Sequence, residues 1–404
     1  MNSRKTLSSL SPLPFSLASL FAFLYRALFV FLVAGQLLRL QFTPSIALYP
    51  HDLTILLINS LWLITSASRF SLSKLPRLIY WVPAFALIAL LSLLVNFARL
   101  DFTHPLVSAS GVLYLLRWLN LGLLLPVTYH LLSTHRLSLH LDHWLLNWAL
   151  AIAILGLVQY IFIPDTRFLY AYGWDDHLNR LISTIFDPAF TGLLLILGLI
   201  LAELRSKPNH IIIASFYVSI ALTYSRASYL TLIAIIFLLG FKLKSLRLVV
   251  SRLTIFLILI ILLPHTEGEG VNLSRTYSIT SRVESSEIAI NQASHFSLLG
   301  IGFNNYRLLT PNIRLVPNHN SSPDNSFLLL LVTTGLVGTA VYLYFWGQAL
   351  TWGFHHSATI FISLSAISLH SLTNNSLFYP FIMIWWWLLL ASELSYHQKL
   401  LPAA

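Results

Sequence analysis

The sequence predicts an all-helical, polytopic membrane protein of about twelve spans, and three observations carry that expectation. Only 9% of the 404 residues are charged, whereas soluble domains carry about 25%. Mean hydropathy is +0.76, and the apolar residues gather in runs near the ~20 residues that cross a bilayer as a helix. Only one long interval, Pro264 to Gly338, is polar, so one large loop interrupts the apolar array.

The apolar runs lie at about 16–38, 53–67, 79–98, 108–131, 144–163, 184–204, 210–223, 227–241, 251–263, 325–350, 357–372 and 377–396. The first follows a basic start, MNSRKTLSSLSPLPF, which resembles the opening of a signal peptide. It runs on to Leu38, too far for such a segment and without a small-residue cleavage site, so it reads as a retained span. Two runs meet around Thr223–Arg226, where one long helix is the alternative to two. Within the polar interval, the stretch near 283–298 has apolar residues at helical spacing and is expected to lie on the membrane surface. The whole chain reads as one membrane domain, with 264–324 as a loop that contributes to a site. It shows no linker, low-complexity tract or internal repeat.

Lysine and arginine placement sets the orientation. With the N-terminus inside, every lysine falls on the inner side, including Lys5, Lys74, Lys207, Lys242, Lys244 and Lys399. The outer side carries Arg39, Arg99, Arg167, Arg180, Arg226, Arg275, Arg282, Arg307 and Arg314, and no lysine. Both termini are then cytoplasmic and the 264–324 loop faces the periplasm or exterior. An arginine fork binds two phosphate oxygens at once, whereas lysine is a hydrated point charge. Outward arginines at a membrane therefore suit an anionic headgroup such as a lipid-linked pyrophosphate. The net charge of +10 is scattered over short loops, so it does not indicate nucleic-acid binding. With no cysteine, disulfides and thiolate ligands are excluded.

Several side chains are candidates for chemistry. Asp324, in SSPDNSFLLLL, is placed either to cap the following helix or to accept a proton from a sugar hydroxyl. His319 is the rival base. Arg226, between two apolar runs in LTYSRASYL, is costly there unless it snorkels, pairs or meets a ligand. Arg282 precedes the surface-helix stretch, where it either pairs with Glu284 or Glu287 or serves a site. Arg180 stands at the mouth of the sixth run near Asp187, with a salt bridge as the alternative to a site role. Arg26 and Arg117 lie inside apolar spans and call for structural pairing or a lipid headgroup. GIGFN lacks the context of a phosphate loop. His135, His140 and His143 read as solvated, and no cluster shows metal-ligand spacing.

Four segments together resemble the O-antigen ligase and O-antigen polymerase superfamily of bacterial membrane glycosyltransferases. They are RLISTIFDPAFTGLLLILGL, LTYSRASYLTLI, SRVESSEIAINQASHFSLLGIGFNNYR and DNSFLLLLVTTGLVG, covering about residues 180–340. The resemblance implies a GT-C-like fold in the inner membrane and transfer without metal or cofactor. The donor would be a glycan on undecaprenyl pyrophosphate, taken from the outer side. The acceptor would be a sugar hydroxyl on a glycan or lipid core, reached with inversion. Carried onto this chain, Arg226 and Arg282, with Arg180, would bind the pyrophosphate. The family's histidine position holds Asp324 here, with His319 as a possible substitute base. Ligase and polymerase share donor and site. A transporter of lipid-linked glycan or anion is the reading from another class, although the broken helices and repeats of transporters are not evident.

Overall fold

The computed structural model describes residues 15–43, 46–66, 75–97, 110–134, 136–264, 268–274, 276–295, 298–306 and 322–400. Among the described residues the protein is all-α apart from a two-stranded antiparallel hairpin, Leu40–Thr43 with Ile46–Leu48. The helices are α1 Phe15–Ala34, α2 Pro50–Ser66, α3 Trp81–Val95, α4 Ser110–Gly122, α5 Leu124–Ser133, α6 Leu141–Phe162 and α7 Pro188–Glu203. They continue with α8 His210–Ala221, α9 Arg226–Leu243, α10 Leu246–Leu262, α11 Tyr277–His295, α12 Ser326–His356, α13 Ala358–His370 and α14 Pro380–Leu400.

Each expected apolar run contains a helix. Among the described residues, six segments are long and apolar enough to cross a membrane: 17–38, 77–95, 110–133, 141–162, 226–243 and 326–356. The apolar helices α7, α8 and α13 are shorter. The exterior is greasy, with Ile64 83% and Leu262 71% exposed. Water would penalise such a surface, whereas hydrocarbon does not.

The helix edges have local causes. Pro126 lacks the N–H that would bond the Gly122 carbonyl, and the run expected at 108–131 breaks there into α4 and α5. The Thr223–Arg226 junction is a true break. Tyr224 takes a positive φ of 48°, and Ser225 caps α9 by accepting from the Ser228 N–H. Asp187, Asn209, Ser245, Asn325 and Ser357 cap α7, α8, α10, α12 and α13 in the same way.

α12 is kinked at Gly335, whose φ of 67° and ψ of −167° are essentially confined to glycine. The bend frees carbonyls in its first turns. Val332 O accepts from Ile301 N at 3.0 Å, and Val337 N donates to Leu298 O at 3.1 Å. The GIGFN backbone is thus docked into the kink, and a Cβ on Gly300 or Gly335 would collide with the other strand of this contact. Ser92 and Asn96 on or just after α3 bond the same segment through the Leu299 and Gly300 carbonyls.

The apolar stretch 381–391 of α14 is buried on every side and forms the axis of the packing, as a helix segment apolar all round should. Trp385, Trp386 and Trp387 are each at most 1% exposed, and α14 packs on α5, α6 and α13. Charges among these apolar elements are paired. Arg252 on α10 holds Glu203 on α7 at 2.6 Å, and Arg117 on α4 holds Asp52 on α2 at 2.9 Å. The structural pairing expected for Arg117 is therefore present, whereas Arg26 lies on the exposed face of α1.

Candidate functional site: an arginine-lined cavity

Four helices begin at one place. The first turns of α7 (Pro188, Ala189, Phe190), α9 (Arg226, Ala227) and α14 (Pro380, Phe381), with Asp324 just before α12, line a single cavity of about 600 Å³. Helix N-termini carry partial positive charge, so their convergence favours an anion. Their caps hold them there. Asp187 Oδ1 accepts from Ala189 N at 2.7 Å and Phe190 N at 2.9 Å. Asn325 Oδ1 accepts from Phe327 N at 2.9 Å and Leu328 N at 3.1 Å.

Among the described residues, five arginines line the same cavity, Arg39, Arg117, Arg180, Arg226 and Arg282, and no lysine does. Arg180 is buried. Its Nε donates to the Thr223 carbonyl at 3.0 Å and its Nη2 to that of Tyr224 at 3.3 Å, closing the C-terminal end of α8. That grip fixes the turn from which Arg226 starts α9. The Arg226 Nη1 donates to Leu273 O at 3.3 Å, and Gly270 packs against the Arg180 side chain. The described part of the loop after α10 thus lies over both arginines.

Arg282 comes from α11. Its Nη2 donates to Asn374 Oδ1 at 3.3 Å, and its Nε stands 3.8 Å from Asp324 Oδ2. Asn374 belongs to the turn between α13 and α14, which is stapled to the start of α12. Ser326 N donates to Ser371 O, Ser326 Oγ to Asn374 O, and Leu377 N to Ser326 Oγ. One rigid corner therefore sets the Arg282–Asp324 geometry.

The structure brings four of the sequence-predicted residues, Arg180, Arg226, Arg282 and Asp324, onto one cavity wall. His319 lies outside the described residues. One reading is corrected. The cap of α12 is Asn325, not Asp324, because the Asn325 side chain already takes the two leading N–H groups. The Asp324 side chain is 53% exposed at the cavity rim. Asp187 spends its Oδ1 on the α7 cap, while Arg180 reaches the α8 carbonyls. Arg167, another of the arginines expected on the outer side, is not in the cavity. It grips Asp165 at 2.7 and 2.9 Å, and those bonds hold the Asp165 carboxyl down to about 2.

Sequence reasoning missed Gln36, Trp174, Asn374 and Tyr379 in the wall, and it offered Arg117 structural pairing or a lipid headgroup, not a place in this cavity. The polar NNS of TNNSLFYP between two apolar runs was the available signal for Asn374. A second correction concerns metal-ligand spacing. His140, Asp142 and His143 place their donor atoms within 4.8 Å of one another. They stand at the first turn of α6, and the cavity lies near its far end, where Gln159 bonds the Arg180 carbonyl. With about 1.5 Å of rise per residue, roughly 25 Å of helix separates the two.

Residues 211–343 match the family model described as O-antigen ligase. The matched segment runs from α8 into α12 and includes Arg226, Arg282 and Asp324, while Arg180 precedes it. The match supports the O-antigen ligase superfamily, in agreement with the motifs that resemble it. Among curated proteins, none matches the chain.

Proposed function

We propose that this chain is an O-antigen ligase-like glycosyltransferase of the bacterial inner membrane. It moves a glycan from a polyprenyl-pyrophosphate donor to an acceptor sugar hydroxyl at the outer face. The observation that carries the proposal is the convergence of Arg180, Arg226, Arg282 and the helix N-termini on one cavity that Asp324 borders. Guanidinium forks and the positive ends of helix dipoles suit the charge that builds on a departing pyrophosphate.

In this reading, Arg226 and Arg282 hold the pyrophosphate, with Arg180 fixing the turn that presents Arg226. The acceptor oxygen attacks the anomeric carbon from the face opposite the pyrophosphate. The bond from that carbon to the phosphate oxygen breaks, and its electron pair leaves with the polyprenyl pyrophosphate. The hydroxyl proton passes to Asp324, or to His319 in its place. One displacement inverts the anomeric centre, and these residues need no metal or cofactor for it. The twelve apolar runs are the spans, both termini are cytoplasmic, and the 264–324 loop with α11 roofs the site from outside.

A polysaccharide polymerase would use the same donor site, so the acceptor separates the two activities. Deleting the gene and analysing cell-surface glycans tests the proposal. Loss of a ligase leaves full-length polymer on the lipid carrier, and loss of a polymerase leaves single repeat units transferred. A glycan profile unchanged by deletion would refute both readings. Export of an intact lipid-linked glycan without a new glycosidic bond would point to transport instead.

A further inference from the structure

Beyond the arginines that would face the pyrophosphate, the cavity wall has a second character. Gln36 follows α1 and is only 6% exposed, yet it lines the cavity. Its Nε2 donates to Tyr379 Oη at 3.2 Å, and its Oε1 meets no donor among the described residues. Whichever way the amide is turned, one buried polar atom stays unmet. Burying such an atom without a partner is unfavourable. The surroundings are aromatic. The Tyr379 ring lies flat on Phe190, with centroids 3.9 Å apart and planes 5° apart. The Arg39 guanidinium sits 4.8 Å from the centre of the Trp174 ring, and Arg39 Nε also has no acceptor. Tyr49 completes this part of the wall.

The three available ligand chemistries fare differently against this wall. An aliphatic polyprenyl chain would leave the Gln36 and Arg39 atoms unmet. A phosphate group is served by the guanidinium forks of Arg226 and Arg282 elsewhere in the cavity and, having no C–H faces, makes no use of the aromatic rings here. A neutral ring with hydroxyls around its edge and C–H groups on its faces meets every requirement. Its hydroxyls donate to Gln36 and accept from Arg39, and its faces lie against the aromatic rings. Polar groups set among aromatic walls are the usual way a pocket fixes a small ligand's orientation.

We infer that Gln36, Arg39, Trp174 and Tyr379 form a subsite for a neutral pyranose of the donor glycan, with Gln36 as the residue that discriminates among sugars. The inference rests on the proposed donor and goes further by giving the sugar a place and a reader. Gln36 touches the sugar but takes no proton, so it sets affinity and specificity, not the chemical step.

The test measures binding to the full-length protein in detergent or nanodiscs. The probes are a short polyprenyl pyrophosphate, bare or carrying one glucose, galactose or N-acetylglucosamine. For the wild type, at least one sugar-bearing probe should bind more tightly than the bare lipid. Gln36→Leu should erase that gain by about five- to tenfold, the worth of one buried hydrogen bond, and leave bare-lipid binding in place. Trp174→Ala, a change at a half-exposed loop position, should erase part of the same gain and guards against misfolding of the first variant. If no sugar-bearing probe gains over the bare lipid, or if both variants retain the gain, the subsite is wrong. If the bare lipid itself does not bind the wild type, the donor reading fails and takes this inference with it.

Discussion

Replacing Arg282 by lysine separates the geometry of the guanidinium from its charge. In the structure, Arg282 gives Nη2 to Asn374 and sets Nε 3.8 Å from Asp324. Both ends of that ion pair are well solvated, at 34% and 53% side-chain exposure, so the pair contributes only about 0–1 kcal/mol to the fold. The Asn374 bond adds about 1 kcal/mol more. Arg282→Lys should therefore leave thermal stability nearly unchanged. A lysine ammonium cannot reach Asn374 and also present a two-pronged face to a pyrophosphate. The ligand loses one charge-assisted hydrogen bond, roughly 1.5–3 kcal/mol, which is about 10- to 150-fold in transfer. The assay is glycan transfer from a synthetic polyprenyl-pyrophosphate glycan by purified protein, with thermal unfolding followed in parallel. Transfer within twofold of wild type by a well-folded variant would refute the pyrophosphate role. A loss that merely tracks a large fall in Tm would show a structural role instead.

Other outcomes follow from the same geometry. Asp324→Asn should abolish turnover while donor binding persists, and because Asn325 is the cap, α12 should keep its start. Near-normal transfer by that variant would move attention to His319. Asp324→His, which rebuilds the residue of the resembling family, should keep measurable turnover. Gly335→Ala should lower stability by about 1–3 kcal/mol, since its backbone is glycine-only and its methyl would strike the Leu298–Gly300 segment. An unchanged Tm would mean that the segment does not sit in the kink. Reporter fusions at Asn272 should read the exterior and fusions at Ser206 or Ser245 the cytoplasm. A cytoplasmic signal at Asn272 would sink the outward-facing mechanism.

The sequence alone determined whatever depends on neighbouring residues. Hydropathy placed a helix in each apolar run, because a backbone in hydrocarbon must satisfy its own hydrogen bonds and a helix does so locally. Arginine and lysine segregation predicts two faces, and of the nine arginines expected on the outer one, Arg39, Arg180, Arg226 and Arg282 do line one cavity. Three of the four motifs that resemble the O-antigen ligase superfamily lie in the segment that the family model matches, and the first, at 180–199, precedes it. What the sequence left open were choices between adjacent residues or between distant partners. Asp324 and Asn325 are both good caps by type, and only the backbone direction at the start of α12 awarded the cap to Asn325. Arg167 and Arg180 look alike in the chain, yet one is spent on Asp165 and the other closes α8 against the cavity. The Gln36 contact to Tyr379 spans 343 residues. The Asn374 bond to Arg282 spans 92. No local periodicity encodes such pairs, because they exist only once α1 and the turn before α14 have joined the core around the buried tryptophans of α14 and α11 has packed on α12.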